Sequence, residues 1–268
     1  MTPHCQNARV ITLRAAGASC IVDEEVGARI ASLMVDSHEL LVTSATDGLG
    51  WGCYPMVPYA GRVRHGRLVF EGREHSLALR LPPHAIHGTV FEKPWAIEES
   101  DSTSCRLTTE LQPNWPFNGR VEHSIELFDH RVTMRLTVTA HETMPTQVGW
   151  HPWFVKPKSR QLKFRTIHPR DDDGIASFRG KPGDLGPDGT NDDCFADPDG
   201  TLTIAIGGRE LTLTSSCGYW VVYDQPAHAT CVEPQSGPPD GVNSDPFVLG
   251  PSERLIHDFT ISWGGGRS

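Results

Sequence analysis

The sequence predicts an all-β protein, a large antiparallel β-sandwich with little helix. Three observations predict it. Apolar and polar residues alternate with period two through several segments. No segment carries an apolar stripe at i, i+3, i+4 and i+7 over three turns. Gly (26) and Pro (21) together supply about one in six of the 268 residues, which favours many short elements joined by turns. The chain is long enough to bury a sizeable core. With no internal repeat and no composition shift it reads as one domain over 1–268, ending in a frayed tail at 264–268.

The elements follow in order. Leu68-Val69-Phe70, a turn at Glu71-Gly72 and the segment running to Leu79 read as a hairpin. Val121, His123, Ile125 and Leu127 alternate with polar residues, Asp129-His130 makes a turn, and Val132, Met134, Leu136 and Val138 alternate on the way back. Each of these strands has one face to bury. Leu202, Ile204 and Ile206 lead into Gly207-Gly208, a pair suited to the positive φ of a tight hairpin, and Leu211 and Leu213 return. Leu255, His257, Phe259, Ile261 and Trp263 form the last strand. Between strands, Pro169 to Gly189 is rich in Asp, Gly and Pro and reads as a long loop of the kind that borders binding sites.

Composition excludes several function classes. The formal net charge is -9, and Lys and Arg form no run or stripe, so a nucleic-acid backbone or an anionic membrane surface has no basic face to meet. The same balance weighs against a strongly anionic substrate. No apolar run approaches the roughly 18 residues of a membrane span. Met1 to Asn7 lacks the basic and then apolar pattern of a secretory signal. Seven widely spaced Cys, an odd number with no Cys-x-x-Cys, suit reduced thiols and a cytoplasmic location.

Four segments break the strand pattern and carry titratable residues among Gly, Pro and aromatics: Pro58 to Arg62, His84 to Gly88, Gly149 to Phe154 and Cys231 to Asp240. Brought to one cleft of a sandwich, they would supply Arg, His, Glu and Trp. That set suits a neutral polyol, because aromatic faces cover sugar C–H surfaces and charged groups bond vicinal hydroxyls. Taken singly, His87, His151, Glu233 and Arg62 have ordinary structural explanations, and Trp150 and Trp153 are more often core than ligand platform.

In this order the segments resemble the aldose 1-epimerase (galactose mutarotase) family. The resemblance runs through Gly27-Ala-Arg-Ile-Ala-Ser-Leu33, Glu39-Leu-Leu41, Pro58-Tyr-Ala-Gly-Arg-Val63, His87-Gly88 with Trp95 beyond, Gly149-Trp-His-Pro-Trp-Phe154, Asp192-Asp-Cys-Phe195 and Cys231-Val-Glu-Pro-Gln-Ser-Gly-Pro-Pro-Asp240. It implies a galactose mutarotase-like supersandwich and a cofactor-independent isomerase, with no metal, that interconverts the anomers of a free aldose. Glu233 would take the anomeric proton, His151 would protonate the ring oxygen, and His87 would steady that oxygen. Arg62, Asp192 and Trp153 would hold the sugar, with Asp192 preferred to Asp193 because it stands three residues before Phe195. A monosaccharide is the expected partner of a monomer or homodimer.

His titrates near neutrality, so His151 is expected to carry its proton at working pH, and Glu233 is expected to be raised modestly. The family often has Asn where Val57 stands, and this chain is shorter than the galactose-specific members; both bear on which sugar fits. Three alternatives stand beside this reading. They are a hexose 6-phosphate mutarotase using Arg64, His65 and Arg67, a non-catalytic carbohydrate-binding domain, and a cupin-type metal site from His84, His87, His151 and Glu233.

Overall fold

The protein is described over residues 10–264 by a computed structural model, so Cys5 and the tail beyond Gly264 lie outside the described residues. It is 55% strand and 3% helix. Two antiparallel sheets dominate, one of eleven strands and one of eight. The smaller sheet is built from the segments whose alternation is clearest. Gly119–Phe128 and Arg131–Ala140 pair along their whole length, Leu127 opposite Val132. Val121, His123, Ile125 and Leu127 are buried together with Val132, Met134, Leu136 and Val138. Arg254–Trp263 then joins Arg131–Ala140 to the Leu202–Ile206 and Arg209–Ser215 hairpin.

The core lies between the sheets. Trp150 and Trp220 of the larger sheet meet Phe259 of the smaller one at ring separations of 5.9 and 6.3 Å. Trp150 Nε1 donates to His123 Nε2 across the gap at 3.2 Å, and His123 Nδ1 stands 3.2 Å from the Ala28 carbonyl. Both ring nitrogens are thus satisfied without a charge, and burial pulls the imidazole down to about 4. The Glu39-Leu-Leu41 turn is tied by its own carboxylate, which accepts from the Leu33 and Leu41 amides and the Ser32 hydroxyl.

Two of the four segments set apart from the strands are strands. Gly149–Val155 and Ala229–Gln235 pair with each other in the middle of the larger sheet. Their reading fails because the alternation is missing: Ala229–Gln235 is buried at every position and Gly149–Val155 at five of seven. One face packs into the sandwich and the other lies under covering loops, so both faces select against exposed polar residues. Asp192–Pro198 is also a strand of this sheet. The Pro58–Arg62 and His84–Gly88 segments form part of that cover, touching through a short antiparallel pair of Arg62–Val63 with Ala85–Ile86. The 169–189 stretch is a loop apart from Lys181–Pro182, which pairs with Phe164–His168, and an isolated antiparallel bridge between Arg170 and Ala176.

Candidate active site

Sheet register assembles the site. Gly149 pairs with Gln235 and Trp153 with Cys231, which sets His151 opposite Glu233. On the other side His151 pairs with Tyr54. One rung of the sheet therefore runs Tyr54, His151, Glu233. Two residues along, the next rung runs Trp153, Cys231, Tyr223, Asp192. Residues two apart share a face of a strand. Trp150 and Phe154 point into the sandwich core, and His151 and Trp153 point the other way. That face opens on a cavity of about 420 Å³ lined by Arg62, His87, His151, Trp153, Asp192 and Glu233. Its volume falls in the roughly 300–1,000 Å³ range of small-ligand sites.

His151 Nε2 lies 3.4 Å from Glu233 Oε1. The imidazole is sandwiched between Trp153 (5.2 Å, 7°) and Tyr54 (5.0 Å, 27°), which fixes the ring plane. Gln235 Nε2 donates to Glu233 Oε2 at 3.1 Å. Burial governs both titrations. It pushes the Glu233 carboxyl up to about 8, against a smaller pull from the Arg170 charge, and drags His151 down to about 3, helped by Arg29 and Arg170. Burial therefore acts against the charged His151 expected at neutral pH, and raises Glu233 by more than the modest shift expected. Desolvation is a property of the fold, and nothing in the local sequence reports it. Burial thus favours the uncharged form of each group, the neutral imidazole and the protonated carboxyl.

His87 reaches the cavity from the covering segment. Its backbone has φ 61°, a left-handed conformation that His adopts more readily than most residues. Its amide donates to the Gly61 carbonyl at 2.9 Å. Gly88 follows at φ 82°, where a Cβ would stand 2.0 Å from the Val57 carbonyl oxygen. The His-Gly pair is thus required by a close backbone approach that presents the imidazole to the site. Its ring meets His151 edge to face at 4.7 Å, and burial keeps it well below the usual imidazole range.

Arg62 Nη1 donates to the Asp173 carbonyl at 2.7 Å. The Pro-Pro-Asp240 end of the last motif serves this segment and does not line the cavity: the Asp240 amide donates to the Arg62 carbonyl, and Asp240 Oδ1 accepts from the Arg64 amide. Asp192 lines the cavity, whereas Asp193 turns back to accept from the Arg170 amide. Arg170 also lines the cavity, and the motifs did not point to it. Its Nη1 donates to Asp192 Oδ1 at 2.6 Å, and its Nε is buried without a partner. Its only signal was its place at the start of the long loop. Tyr54, fully buried in Cys53–Met56, was missed because that strand is buried at every position.

Two alternatives lose their geometry. His84 does not join a metal set with His87, His151 and Glu233, because it packs against His65, accepts from the His65 amide and faces Asp173. Among the described residues, the group with metal-ligand spacing is His151, Cys231 and Glu233. The cations considered for a phosphate are already engaged: Arg64 by Asp171 and Asp173, Arg67 by Glu74. The six cysteines among the described residues are free and buried.

Comparison with known proteins gives a consistent family. The aldose 1-epimerase family model matches residues 9–259. Among curated proteins, the uncharacterised YphB of Escherichia coli K12 is 34% identical over 122 residues, which span 43% of this chain and 40% of that protein's length. Among solved structures, the GalM/aldose epimerase homologue of C. elegans superposes with a TM-score of 0.83 at 13% identity, over 96% of this chain and 98% of that one. Galactose 1-epimerase from Lactobacillus acidophilus NCFM superposes with a TM-score of 0.79 at 16% identity, over 99% and 98%. At these identities the structures establish a shared fold. No helix among the described residues is long and apolar enough to cross a membrane.

Proposed function

The chain belongs to the aldose 1-epimerase family, and from that premise we propose that it is a mutarotase, interconverting the α and β anomers of a free, uncharged aldose without a cofactor. The observation that carries the reading is the His151–Glu233 pair, 3.4 Å apart and lining a sugar-sized cavity.

Mutarotation moves two protons and breaks one bond. Glu233 as carboxylate takes the proton of the C1 hydroxyl while His151 as imidazolium gives one to the ring oxygen. The C1–O5 bond breaks and an aldehyde forms. Glu233 is then the acid and His151 the neutral base, which is the distribution that burial favours in the free protein. After rotation about C1–C2, the acid returns its proton to the carbonyl oxygen, the imidazole takes the proton of the chain hydroxyl, and the ring closes on the other face. The pair holds one proton before and after, so the cycle needs no outside acid or base. His87 steadies the ring oxygen. Arg62 and Asp192 hold hydroxyls, and Trp153 covers the C–H surface.

An uncharged sugar is favoured over a phosphorylated one because Arg64, Arg67 and Arg170 each already face a carboxylate. The test is anomer exchange by NMR or polarimetry on freshly dissolved α-glucose, α-galactose and glucose 6-phosphate. Acceleration of at least one free sugar is expected. Acceleration of the phosphate alone would overturn the substrate class, and sugar binding without any acceleration would leave a carbohydrate-binding domain.

A further inference from the structure

Cys231 takes no part in the proton transfers, yet it stands on the face of the sheet that carries them. It precedes Glu233 by two residues on one strand, and its rung is adjacent to that of His151 and Glu233. Its Sγ, a ring nitrogen of His151 and a carboxylate oxygen of Glu233 all lie within 4.8 Å of one another, and all three residues are buried. A zinc ion takes sulfur at about 2.3 Å and imidazole or carboxylate at about 2.0–2.2 Å. Tetrahedral donors at those lengths stand roughly 3.3–3.6 Å apart. The 3.4 Å between His151 Nε2 and Glu233 Oε1 already matches.

We propose that His151, Cys231 and Glu233 form a site for a thiophilic divalent cation, Zn²⁺ foremost, whose fourth position opens on the sugar cavity. Occupancy shuts off anomer exchange. The ion takes the imidazole lone pair and the carboxylate oxygens that would otherwise move protons. Binding balances in charge: a dication meets one thiolate and one carboxylate, and any proton that either ligand holds passes to solvent. The loaded cluster of ion, thiolate, carboxylate and imidazole carries no net charge, which lowers the cost of placing a dication in a desolvated site. The donor set excludes competitors by kind. Mg²⁺ and Ca²⁺ need all-oxygen shells and gain nothing from a thiolate. The ion here is an inhibitor built from the machinery itself, and only that inhibitory consequence rests on the mutarotase reading.

The test separates binding from activity. Metal-free full-length protein is titrated with Co²⁺, which reports its ligands by absorption. A thiolate-to-cobalt charge-transfer band and tetrahedral d–d bands are expected at one equivalent, displaced by Zn²⁺ and unmoved by Mg²⁺. Cys231→Ser and Cys231→Ala, each checked for a native melt, are expected to lose the charge-transfer band. They are also expected to weaken Zn²⁺ binding by more than the roughly 10–100-fold cost of losing an outer-shell partner. In the anomer-exchange assay, the ratio of rates with and without Zn²⁺ should fall in the wild type and recover in both variants. No thiolate band in the wild type, or Zn²⁺ inhibition equal in wild type and variants, overturns the site. If the band appears in a protein that exchanges no anomers, the metal site stands and the mutarotase reading is the one that fails.

Discussion

Two strands of this molecule have nearly the same sheet geometry and opposite legibility. Arg131–Ala140 buries every second side chain and shows the others to solvent. Gly149–Val155 buries almost everything, because Trp150 and Phe154 pack into the sandwich while His151 and Trp153 lie under the covering segments. The first strand announces itself by period two. The second erases the period, and the place where it is erased is where the candidate site sits. In a half-solvated β-sandwich, a central segment that is polar, aromatic and not alternating marks a sheet face that something else has covered.

The comparison breaks first at the two faces of the 149–155 strand. Glu233→Gln or His151→Asn should lower kcat for anomer exchange by about 10²–10⁴ while leaving a cooperative melt. Trp150→Ala, one residue from His151, should instead cost about 3–5 kcal/mol of unfolding free energy in urea. A Glu233→Gln protein that does not fold, or a Trp150→Ala protein that loses only turnover, would erase the distinction between the faces.

The second prediction concerns the shared proton. Glu233 is raised to about 8, so it gives up the proton as pH rises through that value, and activity should fall about tenfold per unit above it. A profile flat to pH 9.5 would remove Glu233 from the reaction. The sign for stability follows from the same shift. Between the ordinary carboxyl value of 4.5 and about 8 the folded chain keeps a proton that the unfolded chain has lost, so Glu233 lowers stability as pH rises there. Glu233→Gln should therefore gain thermal stability relative to wild type from pH 5 to 8.

Third, Arg62→Ala should raise KM by about 10–100-fold with a smaller change in kcat, the value of a charge-assisted hydrogen bond made in ground and transition states alike. Arg170→Met should do the same and also move the alkaline limb to higher pH, because the Arg170 charge holds Glu233 down. A KM effect with an unmoved limb would make Arg170 a binding residue only. The smallest effect belongs to the open face of the other sheet. Arg135→Ala removes a surface pair with Asp258 at 2.7 Å and should cost only about 0.2–1 kcal/mol in a urea melt, with unchanged turnover.

The same contrast explains what the residue pattern disclosed. Five strands of the eight-stranded sheet were readable, since each keeps one wet and one buried face, whereas Ala96–Ser100, exposed at every position, and the short Ser159–Gln161 carry no such alternation and, like Ser104–Glu110, were not read. The site residues were readable only as motifs in order. Alternation could not say that the 149–155 and 229–235 segments are neighbouring strands, because neither alternates. Arg170 had no motif, and the long loop it begins pointed to the border of a site without singling out any residue. Of the protonation of His151 and Glu233 only the upward direction at Glu233 was legible, because the rest depends on how deeply separate segments bury them.

One feature of the larger sheet reaches past this single chain. His151 and Glu233 face each other from adjacent strands, so the interval between acid and base is inherited from the interstrand spacing, about 4.5–5.5 Å between opposed Cβ atoms. The cavity-lining residues Arg62, His87 and Arg170, the first two proposed to contact the sugar, come from segments outside those two strands. Mutational drift in those segments can exchange one hexose for another while the catalytic interval stays as constant as a lattice parameter. On such a scaffold, substrate range can diversify quickly and reaction type slowly.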